Sequence, residues 1–194
     1  QLAKQIGQID WELLSLVHKE AEADRGEILP IDGLDLGEIA ERREEFFLLG
    51  SSAVREGKVA AVMLAGGQGT RLGSDAPKGT FDIGLTRPLY IFEQLIRNLE
   101  DVVRTCGAYV PLFIMTSEAN DAETQAFFRE HAFFGYPERE IFFFRQEMAP
   151  AVDLNGKLLM SAKDSLALSP NGNGGWYASL LRAGLVSEAE KPGI

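Results

Sequence analysis

A glycine-rich segment directly follows a continuous apolar run, and it is the first candidate for chemistry in this chain. The run covers residues 59–64 (VAAVML), and the segment is Leu64–Gly73, LAGGQGTRLG. Glycine permits positive φ and lets a ligand approach backbone N–H groups, which together can bind an anion. The spacing does not match a dinucleotide fingerprint, whose last glycine would fall at Leu72, or a P-loop, which needs Gly-Lys-Ser/Thr. Considered alone, the segment is equally a tight strand–helix turn.

Two cations accompany these glycines. Arg71 lies inside the segment, and Lys78 belongs to the short sequence Pro77–Gly79 (PKG). Cations beside a glycine-rich loop can neutralise a triphosphate and the charge that develops at phosphorus during transfer. Either residue by itself could be a solvated surface cation. Their closeness to the glycines favours a phosphate site.

Two further polar segments are candidates for ligand binding. Gln146 follows another apolar run, and its amide can both donate to and accept from the edge of a base such as uracil. Residues 169–175 (SPNGNGG) precede a short helix, and glycines with Asn suit close approach to a base or sugar. Taken singly, Gln146 is more simply a polar strand end, and the second segment is equally a plain loop.

These segments need a sheet that brings strand ends together. Apolar runs at 59–64, 112–115 and 141–144 predict three strands buried on both faces. Between them, apolar spacing predicts helices over 88–104 and 120–131, the second opened by a capping box of Asn120 and Glu123. This order predicts an α/β fold with a mostly parallel sheet and helices on both faces. Ligands of such sheets bind outside the carboxyl ends of the strands.

The flanking regions have signals of their own. Leu13, Leu16 and Val17 recur at helical spacing, a break is predicted over Gly26–Gly33, and a second helix follows over 36–50. We therefore predict an N-terminal helical region at 1–57 and the first part of a nucleotide-binding α/β domain at 58–194. Within the latter, Asn155-Gly156 predicts a tight hairpin turn, and residues 176–183 a helix that ends at Gly184.

Charge and cysteine content exclude several classes of protein. Lys and Arg total 19 against 29 Asp and Glu, a formal charge of −10, which argues against binding to nucleic acid or an anionic membrane. No apolar run approaches the roughly 20 residues of a membrane helix. The one cysteine, Cys106, predicts a buried free thiol and a reducing compartment, so we expect a cytoplasmic protein. His18 and His131 are predicted to be packing or surface residues.

As a set, these motifs resemble one family. LAGGQGTRLG and PKG, then MTSEA (Met115–Ala119), the Gln146 region and PNGNGG (Pro170–Gly175) follow the order and approximate spacing of eukaryotic-type UDP-sugar pyrophosphorylases. They are most similar to the UDP-N-acetylhexosamine branch. The resemblance covers the chain from about residue 59 onward, and the helical region before it is also similar. It implies a Rossmann-like sheet of the GT-A type.

The resemblance also implies a reaction. The family forms a UDP-sugar and pyrophosphate from UTP and a sugar 1-phosphate with Mg²⁺, by in-line attack on the α-phosphorus and without a covalent intermediate. Asn173 stands where the UDP-glucose branch usually has His, which favours N-acetylglucosamine 1-phosphate over glucose 1-phosphate.

Site residues follow from the same resemblance. Nucleotide binding is implied for Leu64, Ala65, Gly66, Gly67, Lys78, Gln146 and Gly172, of which Gln146 and Gly172 would face uracil. Arg71 and Lys78 would contact phosphates as the catalytic residues, and Asn173 would reach the sugar.

The chain departs from the family in two respects. The family's metal-binding aspartate, a second functional lysine and most sugar-binding residues would lie beyond Ile194, so the resemblance implies the N-terminal part of a longer enzyme. Arg145 and Trp176 stand where the family often has other residues.

Other functions stay open at this point. A nucleotide-sugar binding module without catalysis is one, and a UDP-glucose or broad UDP-sugar pyrophosphorylase is another. A dinucleotide-dependent oxidoreductase fits poorly because the glycine spacing fails. Asp82 beside the site is either an indirect partner of it or a turn aspartate.

Overall fold

The computed structural model describes residues 2–7, 9, 11–16, 29–30 and 32–186. Its helices are α1 Leu2–Gly7, α2 Trp11–Leu16, α3 Leu36–Glu41, α4 Arg43–Arg55, α5 Ile91–Cys106, α6 Asp121–Glu130 and α7 Trp176–Arg182. Its strands are β1 Ala61–Leu64, β2 Leu112–Thr116, β3 Ile141–Arg145, β4 Met148–Pro150, β5 Met160–Ala162, β6 Ser165–Leu166 and β7 Leu168–Pro170. None of the helices within this part of the chain is long and apolar enough to cross a membrane.

The described residues form two compact units. One unit consists of the described residues within 1–38 and 148–171, and the other of those within 39–147 and 172–194. The predicted boundary at residue 57 remains a prediction. His18 and Val17, with half of the predicted break at Gly26–Gly33, lie outside the described residues.

The larger unit is built on a parallel sheet with the order β1-β2-β3. Ala61 pairs with Leu112, and Leu112 pairs with Ile141, so the three strands end at the same edge. Helices α5 and α6 cover one face through Phe92, Ile96 and Phe128. Helix α7 covers the other face through Leu180, which packs on Phe113, Met115 and Phe144. The mostly parallel sheet with helices on both faces is therefore confirmed at this level.

Strand β1 differs from its prediction. The continuous apolar run predicted a strand buried on both faces, but Val62 is 37% exposed and Leu64 is 43% exposed. The reason is its place in the sheet, because β1 is an edge strand among the described residues and α7 packs over β2 and β3. Only the side chains on the other face, Ala61 and Met63, pack on the core.

The helices of this unit form near their predicted positions but with different ends: α5 covers 91–106 against a predicted 88–104, and α6 covers 121–130 against 120–131. Gly107 follows α5 with φ of 74°, and Gly184 follows α7 with φ of 71°, the left-handed conformation that ends helices. The predicted helix over 36–50 forms as two pieces, α3 and α4, with Arg42 between them. The Phe-rich stretch 127–144 contributes largely to the core, and Phe128 is completely buried.

The smaller unit contains two short antiparallel pairs, β4 with β7 and β5 with β6. The predicted turn at Asn155-Gly156 is confirmed. Gly156 has φ of 76°, and the Asp153 carboxylate accepts hydrogen bonds from the N–H groups of Asn155 and Lys157 at 2.8 and 2.9 Å. The flanking residues form one isolated bridge, Val152 with Leu158, instead of two full strands.

Candidate functional site

The glycine-rich segment begins at the carboxyl end of β1. The Ala65 N–H donates to the Met115 carbonyl at 2.7 Å, which extends the pairing with β2 by one residue. Gly66 and Gly67 follow at the sheet edge where ligands of parallel sheets bind. Neither of these two glycines has positive φ. In this segment it is Gly73 that takes it, with φ of 74°.

Close approach explains the glycines instead. A Cβ on Gly66 would lie 2.7 Å from Gln146 Nε2, which is far inside normal contact. Around Gly67 the space is open, since no atom of the described residues lies within 4 Å of the position of a Cβ. The first glycine therefore admits a side chain of the protein, and the second leaves room for a ligand.

Backbone hydrogen bonds join the glycine segment to the segment that carries Lys78. The Lys78 N–H donates to the Gly67 carbonyl at 3.2 Å, and the Gly69 N–H donates to the Ala76 carbonyl at 2.9 Å. Lys78 begins a 3₁₀ turn, Lys78–Thr80, and its side chain is exposed. Arg71 lies in another 3₁₀ turn, Thr70–Leu72. The two sequence motifs are thus neighbours in the fold.

Packing against α5 fixes the Lys78 turn. Gly79 is buried against the tip of the Phe92 ring, where a Cβ would lie 2.2 Å from ring carbons. The next segment is held by Asp82, whose carboxylate accepts from the N–H groups of Gly84 at 2.8 Å and Leu89 at 3.0 Å. These bonds, from Leu89 first and then Gly84, lower the pKa of Asp82. Asp82 is therefore a turn aspartate in this loop.

Gln146 lies at the carboxyl end of β3 and is 8% exposed. Its backbone N–H donates to the Thr116 carbonyl at 2.8 Å, which continues the β2–β3 pairing. Its amide contacts Gly66, two strands away in the sheet. The structure therefore brings together Gly66, Gly67, Lys78 and Gln146, which the sequence predicted as parts of one site.

Unpaired backbone donors complete this group. Within the described residues, no acceptor is found for the N–H groups of Gly66, Gly67 and Gln68. Because an N–H group left without water or an acceptor is costly, such donors are available to a ligand. Three N–H groups, one exposed ammonium and one buried amide are donor groups of the kinds that suit a ligand with negative charge and hydrogen-bonding edges.

Gly172 and Asn173 lie at the start of α7. Gly172 has φ of 76°, and Asn173 begins the 3₁₀ turn Asn173–Gly175. Both residues are exposed. Among the described residues, no hydrogen bond or ion pair joins them to Gly66, Gly67 or Gln146. Their part in the site remains a prediction.

The structure explains Arg145, which the sequence left without a role. Arg145 Nε donates to Asp121 Oδ2 at 2.7 Å, and the same carboxylate accepts from Thr116 and Gln125 through Oδ1. Burial alone would raise the pKa of Asp121, but these hydrogen bonds and the charge of Arg145 outweigh burial and lower it. This ion pair ties the end of β3, one residue before Gln146, to the start of α6.

Asn120 also differs from its prediction. It precedes α6, but its side chain makes no capping hydrogen bond to the helix, so the predicted capping box does not form. The side chain is completely buried and donates instead to the glycine segment, with Nδ2 2.9 Å from the Ala65 carbonyl oxygen. The sequence pattern resembled a cap because Asn is common at such positions.

Residues assigned to packing behave as predicted. Cys106 is buried beside Val54 and Val110. His131 lies among aromatic rings, with its centroid 4.2 Å from that of Phe127 and its Nδ1 2.9 Å from the Phe127 carbonyl oxygen. No group of three or more His, Cys, Asp or Glu side chains in the described part of the chain could hold a metal ion. These residues do not by themselves form a metal centre.

Comparisons with known proteins agree with the motifs. The chain matches the family model for UTP–glucose-1-phosphate uridylyltransferase over residues 2–194. It is 42% identical, over 80% of its length, to the UDP-N-acetylglucosamine pyrophosphorylase of Saccharomyces cerevisiae. It is 38% identical, over 81% of its length, to UDP-N-acetylglucosamine diphosphorylase 1 of Arabidopsis thaliana.

The chain is also similar to a solved structure of a pyrophosphorylase. The UDP-N-acetylglucosamine pyrophosphorylase of Trypanosoma brucei, crystallised with an inhibitor, is 36% identical and superposes with a TM-score of 0.66 over 81% of this chain. The chain spans 33% of the length of the yeast and Arabidopsis relatives and 32% of the trypanosome chain. With sequence motifs, sheet topology and these similarities in agreement, the chain belongs to the UTP–glucose-1-phosphate uridylyltransferase family.

Proposed function

We propose that this chain carries the nucleotide-binding part of an enzyme that forms UDP-N-acetylglucosamine and pyrophosphate from UTP and N-acetylglucosamine 1-phosphate. An oxygen of the sugar phosphate forms a bond to the α-phosphorus of UTP. The bond from that phosphorus to the bridging oxygen breaks in line, and pyrophosphate leaves with the electron pair. The balance requires no oxidant and no protein nucleophile.

One observation carries this proposal: the glycine segment, Lys78 and Gln146 meet at the carboxyl edge of a parallel sheet. The contacts that define this group are the bond from Lys78 N–H to Gly67 and the packing of Gln146 on Gly66. Catalysis of phosphoryl transfer rests mainly on positioning and charge neutralisation, and such a group can supply both.

Each part of the site has a task in this proposal. The free N–H groups of the glycine segment donate to the nucleotide, and Arg71 and Lys78 balance the negative charge of its phosphates. The Gln146 amide pairs with the uracil edge, with Gly172 on the uracil side and Asn173 towards the sugar. The high identity to UDP-N-acetylglucosamine enzymes supports this sugar over glucose.

Further features belong to the same proposal. Mg²⁺ would be held by phosphate oxygens of UTP, which are strong Mg²⁺ ligands, and by the aspartate that the family resemblance implies beyond Ile194. The parallel sheet and its helices support a Rossmann-like fold of the GT-A type. The buried free thiol of Cys106 supports a cytoplasmic location.

Lys78→Ala in the full-length protein tests the phosphate role. The loss of one charged contact to the transition state is expected to lower kcat by about 100-fold or more, measured as pyrophosphate release from UTP and sugar 1-phosphate. The matched control is Lys58→Ala, which removes an exposed lysine paired with Glu56, just before the opposite end of β1. Equal rates in the two variants would contradict the role of Lys78.

A panel of sugar 1-phosphates tests the substrate. Release with N-acetylglucosamine 1-phosphate and little with glucose 1-phosphate is the expected result. Release with glucose 1-phosphate instead would keep the reaction and overturn the interpretation of Asn173. Binding of UTP without release for any sugar would indicate a binding module without catalysis.

A further inference from the structure

The buried side chain of Asn120 connects the end of β2 to the glycine segment. Its Oδ1 accepts from the Ser117 N–H at 2.8 Å, and its Nδ2 donates to the Ala65 carbonyl at 2.9 Å. The same Nδ2 lies 3.4 Å from the Gly67 carbonyl oxygen. Asn120 therefore contacts two alternate carbonyls of the segment that follows β1.

Because the peptide bond is planar, these contacts also fix the directions of the N–H groups that follow the two carbonyls. In a trans peptide, the C=O and the next N–H point in opposite directions. Since the Ala65 carbonyl points to Asn120, the Gly66 N–H points away from it. The Gly67 carbonyl is held by Asn120 and by the Lys78 N–H, so the Gln68 N–H also points away. Both of these N–H groups lack an acceptor among the described residues.

We infer that Asn120 is a positioning residue for nucleotide binding, because it fixes the two carbonyls that orient the Gly66 and Gln68 N–H groups. This inference rests on the function proposed above. The ligand atoms recognised are hydrogen-bond acceptors of UTP. Asn120 touches no ligand itself, and its effect on UTP passes through the backbone of the glycine segment.

The chemistry of the position favours an amide. Its oxygen must accept from Ser117 while its nitrogen donates to Ala65, and a buried side chain cannot use water to replace either bond. An ionised carboxylate of the same shape would face the carbonyl oxygens of Ala65 and Gly67 with no proton to donate. A protonated carboxyl group would restore both bonds, since it has one O–H donor and one carbonyl acceptor.

Asn120→Asp in the full-length protein tests this by the pH dependence of UTP binding. At pH 8 we expect the variant to bind UTP about tenfold more weakly than the unmodified protein, with a matching rise in KM for UTP. Burial raises the pKa of such a carboxyl group. The ratio of the two dissociation constants should therefore approach one as the pH falls to 5.5. Using the ratio cancels the titration of UTP itself.

The matched control is Asn98→Asp, the same change on the exposed side of α5, which should leave the ratio near one at both pH values. Asn120→Ala removes the donor without adding charge, so it should weaken UTP binding equally at pH 8 and pH 5.5. It also carries the test if the Asp variant does not fold. A purely structural role would lower the melting temperature of both variants and leave the ratio of dissociation constants near one.

A measurement on the unmodified protein needs no variant. Amide hydrogen exchange at Gly66 and Gln68 should slow when UTP is added. Unchanged exchange at both, despite UTP binding, would overturn the inference, as would folded variants that bind UTP like the unmodified protein. If the unmodified protein neither binds UTP nor releases pyrophosphate, the proposed function fails first, so the two failures are distinguishable.

Discussion

Gly66→Ala adds one methyl group at the point where β1 meets Gln146. The new Cβ would lie 2.7 Å from Nε2, 3.0 Å from Cδ and 3.2 Å from Oε1 of the Gln146 amide. The backbone of Gln146 is held by its hydrogen bond to Thr116. The side chain must therefore give way, and the amide moves away from the place where we propose that it meets uracil.

The structure sets the size of the effect. To reach an ordinary contact of 3.4 Å, Nε2 must move by about 0.7 Å, which exceeds the roughly 0.5 Å range of N–H···O hydrogen-bond lengths. Losing that bond costs about 1–3 kcal/mol, or roughly 5- to 150-fold in the dissociation constant of UTP. A side chain forced off its rotamer costs only about 0.5–1.5 kcal/mol of folding free energy. We expect a large loss of binding with a small loss of stability.

Calorimetric titration of UTP and thermal unfolding of the full-length protein measure the two quantities. The control is Gly50→Ala in α4, where no atom of the described residues lies within 4 Å of the added Cβ. That change should stabilise the helix by roughly 0.5–1 kcal/mol and leave UTP binding unchanged.

A double-mutant cycle separates displacement of Gln146 from direct obstruction of the ligand. If Gly66→Ala acts through the amide, it should add little to the loss already caused by Gln146→Ala. An equal loss in both backgrounds would refute the reasoning, and so would a Gly66→Ala protein that binds UTP within twofold of the unmodified protein.

Two other predictions concern the supports of the site. Gly79→Ala should lower the unfolding free energy by about 1–3 kcal/mol, because the added Cβ overlaps the ring of Phe92, which is 2% exposed. Denaturant unfolding measures this loss, and unchanged stability would contradict the packing. The depressed pKa of Asp121 stabilises the fold above the pKa of the unfolded chain, so the unfolding free energy should fall as pH drops below about 5. Asp121→Asn should flatten that slope in unfolding curves taken from pH 7 to pH 3, and an unaltered slope would exclude Asp121 as its source.

Local periodicity was enough to predict the framework of the site. The three apolar runs became β1, β2 and β3, and the amphipathic spacing became α5 and α6. These signals depend on neighbours a few residues away, which is why the sequence contains them. Which helix covers each face of a strand depends on residues far away in the sequence. For that reason the prediction that β1 is buried on both faces was wrong.

The sequence by itself also determined the family. The order of the glycine segment, the PKG triplet and the later motifs needed no coordinates, because each motif is a short run of residues. The sequence also identified Gly66 and Gln146 as parts of one site. It did not determine why Gly66 is glycine, since the answer is a contact with a side chain on another strand.

Tertiary structure decided the hydrogen-bond partners that hold the site. Asn120 reaches Ala65, 55 residues earlier in the chain, and Asp121 pairs with Arg145, 24 residues later. From sequence alone, Asn120 resembled a helix cap and Arg145 had no role. A polar side chain bonds to whichever donor or acceptor the fold brings within about 3 Å, and it satisfies distant groups as readily as near ones. Residue type and local spacing therefore set what Asn120 and Arg145 could do, and the parallel pairing of the three strands set what they do.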